Sequence, residues 1–176
     1  MKKLKLDELN RVDIETFKSQ DKFPVLLVLD NIRSALNVGS LFRTADAFAL
    51  EGVLLNGITA RPPHREILKT ALGSTESVEW LGFEDGEACI QYLQENGYKI
   101  AVIEQTTDST DLSIVDWDST DKWAIVLGNE VEGVSEAFLQ AADIAIEIKQ
   151  FGTKHSLNVA VCGGIVSYAA TQAIAR

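Results

Sequence analysis

Residues 123–133 read WAIVLGNEVEG, a run of apolar residues that passes directly into a polar loop bounded by two glycines. Residues 23–29 (FPVLLVL) and residues 144–148 also lead straight into polar, glycine-containing stretches. Short, continuous apolar runs are typical of parallel strands that helices cover on both faces. Ligands of parallel α/β sheets bind at the carboxyl ends of strands. The sequence therefore predicts a ligand site where the three polar loops meet.

The sequence predicts the α/β class, with a mostly parallel sheet flanked by helices, because strand patterns alternate with helix patterns along the chain. The predicted strands are residues 23–29, 52–55, 78–81, 99–104, 123–127 and 144–148. The predicted helices are residues 38–48, 66–72, 86–96, 136–142 and 157–175, the first of them capped by Asn37. Residues 105–121 are expected to form a polar, acidic loop. We expect one domain over residues 1–176, with a short helical extension at residues 1–20.

The composition is that of a globular domain, with 176 residues of which 46% are hydrophobic and 24% charged. Cys89 and Cys162 lie in apolar surroundings outside any CxxC pair, which predicts buried, reduced thiols. Cysteines and histidines without ligand spacing predict no structural metal. No apolar run approaches the ~18 residues that would span a bilayer, and no signal core follows the N-terminus. We therefore expect a cytoplasmic protein without membrane contact.

The net charge of −10 is unusual for a protein that binds RNA, since polyanions are usually met by lysine and arginine. A local basic patch can nevertheless dominate the electrostatic field at a site. The basic residues form small groups in the sequence: Lys2, Lys3 and Lys5; Arg61, Arg65 and Lys69; and Lys149 and Lys154. Acidic residues concentrate elsewhere, at 84–87 and 108–121. This separation is compatible with RNA binding and does not establish it.

The first polar cluster runs from Asn31 to Thr44 and contains Asn37 and Arg43. Arg43 lies six residues after Asn37, in the second turn of the helix that Asn37 is predicted to open. Both side chains are expected to reach the end of the same strand. A guanidinium offers a fork of donors that suits phosphate, and a helix N-terminus favours an anion. The alternative is a capped surface helix with a solvated arginine, and spacing alone does not choose between the two.

The other two clusters are residues 128–133 and residues 148–158 (IKQFGTKHSLN). In the first of them, two glycines allow close backbone approach to a ligand, and Glu130 could fix a sugar hydroxyl or a base edge. A tight surface turn is the alternative. In the second, an N-cap would explain Ser156, whereas Asn158 would need hydrogen-bond partners if it were buried. His155 is a possible base, although a histidine in a loop is more often solvated.

Together the three clusters resemble the three motifs of the SpoU (TrmH) branch of the SPOUT RNA methyltransferases. The resemblance rests on Asn37-x-Gly39-x-x-x-Arg43-Thr44-Ala45, on LGNExxG at 127–133, and on IxxxGxxxSLNV at 148–159, in that order. It extends over residues 23–170. It implies a SPOUT-type α/β fold with a C-terminal trefoil knot at about residues 125–165, which binds S-adenosylmethionine. It also implies a homodimer that methylates ribose 2′-hydroxyls of tRNA or rRNA.

The same resemblance implies roles for individual residues. The residues that match the catalytic set are Asn37, Arg43, Glu130, Ser156 and Asn158. The residues expected to hold the cofactor are Glu104, Leu127, Gly128, Gly133, Ile148, Gln150, Ser156 and Leu157. The RNA contacts are a separate expectation that rests on positive charge and not on the resemblance; the residues expected to contact RNA are Arg33, Arg61, Arg65, Lys149 and Lys154. No metal is implied.

Our mechanistic hypothesis is that Arg43 binds the phosphate next to the target ribose and stabilises developing alkoxide character. An arginine stays protonated at neutral pH, so a literal base is disfavoured. Glu130 is expected to hold either Arg43 or the nucleotide. Asn37, Ser156 and Asn158 are expected to orient the reacting groups.

The sequence departs from the family pattern in two respects. The third motif of the family commonly has Pro-Met after its isoleucine, whereas this chain has Lys149-Gln150, and Lys149 is expected to face RNA. We also expect no long extension of the kind that members use to grip RNA. Two alternatives stay open: a SPOUT enzyme that methylates a ring nitrogen of a base, and a catalytically weak, cofactor-binding protein that interacts with RNA. A metabolic Rossmann enzyme is disfavoured because the GxGxxG fingerprint is absent.

Overall fold

The computed structural model describes residues 1–175, and Arg176, the last residue of the predicted domain, lies outside the described residues. Seven strands form one sheet in the order β3-β2-β1-β6-β4-β7-β5, and every neighbouring pair is parallel. The strands are β1 (Phe23–Asp30), β2 (Leu50–Asn56), β3 (Trp80–Phe83), β4 (Tyr98–Ile103), β5 (Thr110–Asp111), β6 (Lys122–Leu127) and β7 (Ile144–Glu147). The predicted α/β class is confirmed.

Seven α-helices accompany the strands in the described part of the chain. They are α1 (Ile14–Ser19), α2 (Ala35–Ala47), α3 (Arg65–Ala71), α4 (Ser74–Ser77), α5 (Gly86–Glu95), α6 (Glu136–Ala141) and α7 (Val159–Ile174). Helices cover both faces of the sheet, because α1, α2, α3 and α7 pack into one hydrophobic core and α5 and α6 into the other. Burial from both sides explains why the central strands are continuously apolar.

Two glycines let α2 approach its neighbours closely. A side chain at Gly39 would collide with the backbone of α3 at Ile67, and one at Gly163 of α7 would collide with Leu41 and Leu127. The close contact of α2 with α7 brings the N-terminal ends of both helices to the carboxyl ends of the strands. No helix within residues 1–175 is both long and apolar enough to cross a membrane.

The start of α2 differs from the prediction. Ser34, and not Asn37, caps the helix, because its hydroxyl accepts a hydrogen bond from the Asn37 backbone N–H at 3.3 Å. Both residues are good caps by propensity. A contact with Glu130, described below, occupies the Asn37 side chain and leaves the cap to Ser34.

The start of α7 is a second correction. Asn158, and not Ser156, is the N-cap, and its Oδ1 accepts hydrogen bonds from the N–H groups of Ala160 and Val161 at 2.9 and 3.3 Å. Asn158 is exposed, so the burial considered in the sequence analysis does not arise.

Residues 105–121 are more ordered than a polar loop. They contain β5, which pairs with β7, and a 3₁₀ turn at Leu112–Ile114. A strand of two residues is too short to produce a periodic pattern, so the sequence carries no signal for it. The N-terminal extension is a 3₁₀ turn (Leu6–Leu9) followed by α1, whose Phe17 enters the core.

Candidate active site

A cavity of about 580 Å³ lies at the carboxyl ends of β4, β6 and β7. Loop residues 128–133 and 148–158 form its walls. The residues predicted to hold a cofactor all line it: Glu104, Leu127, Gly128, Gly133, Ile148, Gln150, Ser156 and Leu157. Further residues line the cavity that were not predicted from the sequence, among them Gln105, Asn129, Glu132, Glu147 and Cys162. In the sequence, the only indication that these residues line the cavity is their position next to or within the motifs.

The charge of the cavity wall is negative. The acidic residues that line it are Glu104, Glu130, Glu132 and Glu147, and among the described lining residues none is lysine or arginine. A pyrophosphate would be repelled by such a wall, whereas a cationic ligand would be attracted. Leu127, Ile148 and Leu157 add apolar surface for a flat ring. The cavity therefore suits a small molecule with an aromatic ring and a positive charge.

The loop at residues 128–133 folds back on itself. Asn129 and Gly133 exchange two backbone hydrogen bonds of 2.9 Å each. A side chain at Gly128 would collide with the backbone of Gly133 and Val134. Gly133 has φ +75° and packs against the carboxylate of Glu104. Gly128 and Gly133 thus allow parts of this chain to pack closely together, in addition to any close approach of a ligand.

Glu104 holds this loop against the end of β4. Its Oε2 accepts a hydrogen bond from the Val134 N–H at 3.1 Å, and its Oε1 accepts one from the Gln105 N–H at 2.9 Å. The carboxylate is thereby fixed in the cavity wall. Glu104 was predicted to lie near the cofactor because it ends the strand predicted over residues 99–104.

Glu130 joins the second motif to the first. Its carboxylate accepts hydrogen bonds from the backbone N–H groups of Arg33 (2.8 Å) and Ser34 (3.0 Å) and from Asn37 Nδ2 (3.0 Å). Partial burial raises the pKa of Glu130, and the hydrogen bonds from Arg33, Asn37 and Ser34 outweigh it, so the net pKa lies below the ordinary value. Glu130 is therefore ionised at neutral pH at the N-terminal end of α2, where a negative charge is favoured.

The third motif completes the network. Asn158 Nδ2 donates to Asn37 Oδ1 at 3.2 Å, so Glu130, Asn37 and Asn158 form one hydrogen-bonded chain. In the sequence, Glu130 lies 93 residues and Asn158 lies 121 residues after Asn37. Ser156 is exposed beside them on the cavity wall.

Arg43 lies apart from this network. It is exposed two turns along α2 and lines a separate depression of about 460 Å³ with Lys69, Thr70 and Leu72. Six helical residues advance about 9 Å, which carries Arg43 away from the cavity of its own chain. The expectation that Arg43 reaches the same strand end as Asn37 is therefore wrong. Within this chain Glu130 is bonded to the start of α2 and not to Arg43, contrary to one of the two roles predicted for it.

The basic residues expected to contact RNA divide into two groups. Arg61 donates to the Phe83 carbonyl (2.9 Å) and pairs with Glu84 (3.0 Å), so it fastens the end of β3. Lys149 pairs with Asp111 at 2.8 Å. Arg33, Arg65 and Lys154 are exposed and form no ion pair within the part of the chain that the structure describes, whereas Lys149 is exposed and ion-paired.

A buried carboxylate links the strand ends beneath the site to the loop that follows β6. Asp30, at the end of β1, is fully buried and accepts hydrogen bonds from Asn31 Nδ2 (2.8 Å), Asn56 Nδ2 (2.9 Å) and the Ser135 N–H (2.8 Å). Asn129 Nδ2 donates to the carbonyl of Asn31 at 2.7 Å. These bonds tie the ends of β1 and β2 to the loop after β6. Asp30 was not predicted to be part of the site, and its only sign in the sequence is that it directly follows the apolar run at residues 23–29.

Both cysteines are free and poorly suited to nucleophilic chemistry. Burial raises the pKa of Cys89 to about 12, and burial together with the charge of Glu104 raises the pKa of Cys162 to about 11. Cys162 therefore stays a thiol in the cavity wall at neutral pH. Among the side chains that the structure describes, no cluster of three or more His, Cys, Asp or Glu could hold a metal ion.

The fold and the site define an α/β domain that binds a ligand at the carboxyl ends of parallel strands. Residues 24–168 match the model of the SpoU rRNA Methylase family. The chain belongs to this family, as its three motifs predicted.

Known proteins with similar sequences or structures carry related names. The chain is 30% identical to the 23S rRNA (guanosine-2′-O-)-methyltransferase RlmB of Vibrio parahaemolyticus, over 94% of this chain and 66% of that protein. It is 30% identical to a TrmH-family relative from Staphylococcus saprophyticus, over 86% of this chain and 59% of that protein. The chain thus spans about three fifths to two thirds of the length of these relatives. The crystal structure of an AdoMet-bound rRNA methyltransferase from Sinorhizobium meliloti superimposes with a TM-score of 0.80 at 26% identity, covering 86% of this chain and 57% of that one.

Proposed function

We propose that this chain is an S-adenosylmethionine-dependent RNA methyltransferase that acts on a ribose 2′-hydroxyl of tRNA or rRNA. The observation that carries the proposal is the bonded chain of Glu130, Asn37 and Asn158 at the rim of the acidic cavity. Family membership and the ribose-methylating relative support the type of reaction. A cytoplasmic location follows from the proposed substrates.

The cavity fits the proposed cofactor by its chemistry. When bound, S-adenosylmethionine supplies a methyl group on a positively charged sulfonium, and the acidic wall attracts that charge. Leu127, Ile148 and Leu157 offer apolar surface to the adenine ring. The loops at 128–133 and 148–158 line the cavity, so their backbone N–H and C=O groups would bond the polar edge of the adenine ring. Glu104, Gly128, Gly133 and Gln150 complete the proposed cofactor site.

The chain's own residues would position the ribose and stabilise its charge. Asn37 and Asn158 are already bonded to one another, so they form a rigid rim against which a nucleotide can be oriented. The hydroxyl of Ser156 is free to bond the ribose. Arg43 would bind the adjacent phosphate and stabilise the developing alkoxide, and that phosphate would take the hydroxyl proton.

Arg43 can serve this role only if a second copy of the chain brings it to the cavity, because it lies outside the cavity of its own chain. We therefore propose a homodimer. The exposed apolar side chains of α7 support it: Val161, Ile165 and Tyr168, the last 57% exposed. Isolated apolar side chains are common on surfaces, but a row of them along one helix is typical of an interface.

The path of the chain supports the proposed trefoil knot at about residues 125–165. After β6 the chain forms α6 on one face of the sheet and then enters β7, on the far side of β4. It returns through the loop at 148–158 to α7 on the opposite face. Gln105, in the connection between β4 and β6, bonds the His155 carbonyl of that loop at 2.8 Å. The returning segment therefore lies against the connection that it would thread.

We propose that RNA is contacted by Arg33, Arg65 and Lys154, which are exposed. Arg61 and Lys149 are ion-paired, so phosphate would have to compete with Glu84 and Asp111 for them. A local surface of this kind would attract RNA despite the net charge of −10.

The proposal is tested by methyl transfer from labelled S-adenosylmethionine into total RNA of a strain that lacks the protein. Incorporation into tRNA or rRNA supports it. Binding of the cofactor without incorporation into any RNA would favour the catalytically weak alternative. Failure to bind S-adenosylmethionine at all would refute the proposal.

A further inference from the structure

We propose that the ion pair between Asp111 and Lys149 is a strap that holds the loop at residues 148–158 in its cofactor-binding shape. Lys149 is then a positioning residue for the cofactor and not a contact to RNA. The inference rests on the proposed function, since it concerns the same cavity. It replaces the expectation that the lysine in the third motif faces RNA.

Asp111 is a fixed anchor for the strap. Its side chain is 17% exposed, and its Oδ1 accepts hydrogen bonds from the Ser113 N–H (2.8 Å) and the Ser113 hydroxyl (2.6 Å). Its backbone belongs to β5 and pairs with Glu147 of β7. The other oxygen, Oδ2, lies 2.8 Å from Lys149 Nζ.

Lys149 is placed where its tether acts on the cavity. It lies two residues after the end of β7, between Ile148 and Gln150, which both line the cavity. Its side chain is 63% exposed, so it contributes little to the core. Fixing its ammonium group therefore constrains the backbone that carries its two neighbours.

A second bond holds the other end of the same loop. Gln105 Nε2 donates to the His155 carbonyl at 2.8 Å. Gln105 and Asp111 both belong to the connection between β4 and β6, so one segment grips the loop at both ends. Between the two grips, residues 151–154 are exposed. The loop's shape thus depends on two side-chain contacts from a single neighbouring segment.

Both partners of the strap are charged at neutral pH. The hydrogen bond from Lys149 holds the pKa of Asp111 below its ordinary value, and the same bond raises the pKa of Lys149. An ammonium that is already paired gains less from a phosphate than a free one does. Ion pairs on a protein surface have modest effects, so we expect changes in cofactor affinity of about twofold to fivefold.

The experiment compares Asp111→Asn, Lys149→Met, the double variant and Lys149→Arg in the full chain. S-adenosylmethionine affinity is measured by calorimetry without RNA, RNA affinity by a separate titration, and motion of the loop by hydrogen exchange in the free protein. We expect both single variants to weaken cofactor binding equally, with faster exchange at residues 148–157. The double variant should be no worse than either single variant, because both remove one contact. Lys149→Arg keeps a positive charge beside Asp111, so it should keep the cofactor affinity and loop exchange of the wild type.

Opposite responses to the two single substitutions would overturn the inference. If Lys149 contacts RNA, Lys149→Met weakens RNA binding and Asp111→Asn strengthens it, with cofactor affinity unchanged in both. Should Asp111→Asn fail to fold, Lys149→Met carries the test, since its side chain is mostly exposed. Equal cofactor affinity in that variant and the wild type would refute the strap.

The matched control is the pair Lys99–Asp121, an ion pair of 2.5 Å near the amino ends of β4 and β6, whereas the cavity lies at the carboxyl ends of these strands. Lys99→Met should leave both cofactor affinity and loop exchange unchanged. The two proposals fail in different ways. A wild-type chain that binds no S-adenosylmethionine contradicts the proposed function, whereas a wild-type chain that binds it as tightly as the strap variants contradicts only the strap.

Discussion

Asn158 Nδ2 donates a hydrogen bond of 3.2 Å to Asn37 Oδ1, which joins the N-terminal ends of α7 and α2. Asn158 also caps α7 through its Oδ1. One side chain thus has two tasks, each performed by a different atom. This division allows the contribution of the contact to be separated from that of the cap.

Asn158→Asp keeps an oxygen for the cap and removes the donor to Asn37, and it places a negative charge near Glu130. We expect a melting temperature close to wild type and a loss of at least about tenfold in methyl transfer. Asn158→Ala removes both tasks and should cost about 1 kcal/mol of unfolding free energy as well. Thermal unfolding and steady-state kinetics on the same samples check this. Full activity of Asn158→Asp would show that the contact between the two motifs has no catalytic value.

Glu130→Gln removes the charge that accepts three N–H donors and presents an amide N–H to one of them. The loss of charged hydrogen bonds should lower kcat/KM by about 10- to 100-fold. The exposed Glu136, which begins α6, offers a matched control as Glu136→Gln, with activity expected to be unchanged. Equal kinetics of the two variants would contradict the role of Glu130.

The pH dependence of stability provides a separate test of Glu130. Its pKa in the folded chain lies below the ordinary 4.5, so the ionised carboxylate stabilises the fold above pH 4.5. This contribution is lost as the pH falls through the folded-state pKa. The difference in unfolding free energy between wild type and Glu130→Gln should therefore be full at neutral pH and smaller at pH about 3. Chemical denaturation at both pH values measures it, and a difference that grows toward acid would have the wrong sign.

Gly128→Ala and Gly164→Ala should have opposite effects on stability. A Cβ at Gly128 collides with the backbone of Gly133 and Val134, and we expect a cost of about 2–3 kcal/mol together with loss of cofactor binding. Within a single chain a Cβ at Gly164 in α7 meets open space, and alanine in a helix should add about 0.5–1 kcal/mol when unfolding is measured on dilute, unassociated protein, because Gly164 shares the face of α7 that carries Val161 and Ile165. Denaturant unfolding compares the two variants. A stable Gly128→Ala would mean that the loop does not need its close approach.

Arg43→Ala should abolish methyl transfer and leave S-adenosylmethionine affinity nearly intact, because Arg43 lies outside the cavity of its own chain. A loss of at least about 100-fold is expected for a group that stabilises charge in the transition state. Calorimetry and single-turnover kinetics separate the two effects. The exposed Arg11 offers a control as Arg11→Ala. Transfer at the wild-type rate in Arg43→Ala would show that the role assigned to Arg43 is incorrect.

Much of the fold could be predicted because burial leaves a clear pattern in sequence. The continuous apolar runs that became β1 and β6 reflect a sheet covered on both faces. The ends of the helices were less accessible, because Ser34 and Asn37 are equally good caps by propensity. The choice between them depends on Glu130, 93 residues further along the chain. A contact of that range is not visible in a local pattern.

The site, like the fold, has some features that could be predicted from local sequence patterns and others that depend on distant contacts. All the cofactor residues taken from the motifs line one cavity, since motifs that follow parallel strands meet at one edge of the sheet. The position of Arg43 away from that cavity could not be predicted, because sequence spacing does not report which way a helix points. The bonds of Lys149 and Asp30 were equally hidden, since their partners come from segments that are distant in sequence.

The central claim is that the three motifs form one site for ribose methylation. The most direct measurement is the mass spectrum of nucleosides released from RNA after incubation with the protein and labelled S-adenosylmethionine. Our account predicts that the label resides in a 2′-O-methylated nucleoside, and that Asn158→Asp and Arg43→Ala suppress it. A label on a base nitrogen, or no labelled nucleoside from an RNA pool that lacks the modification, would contradict it.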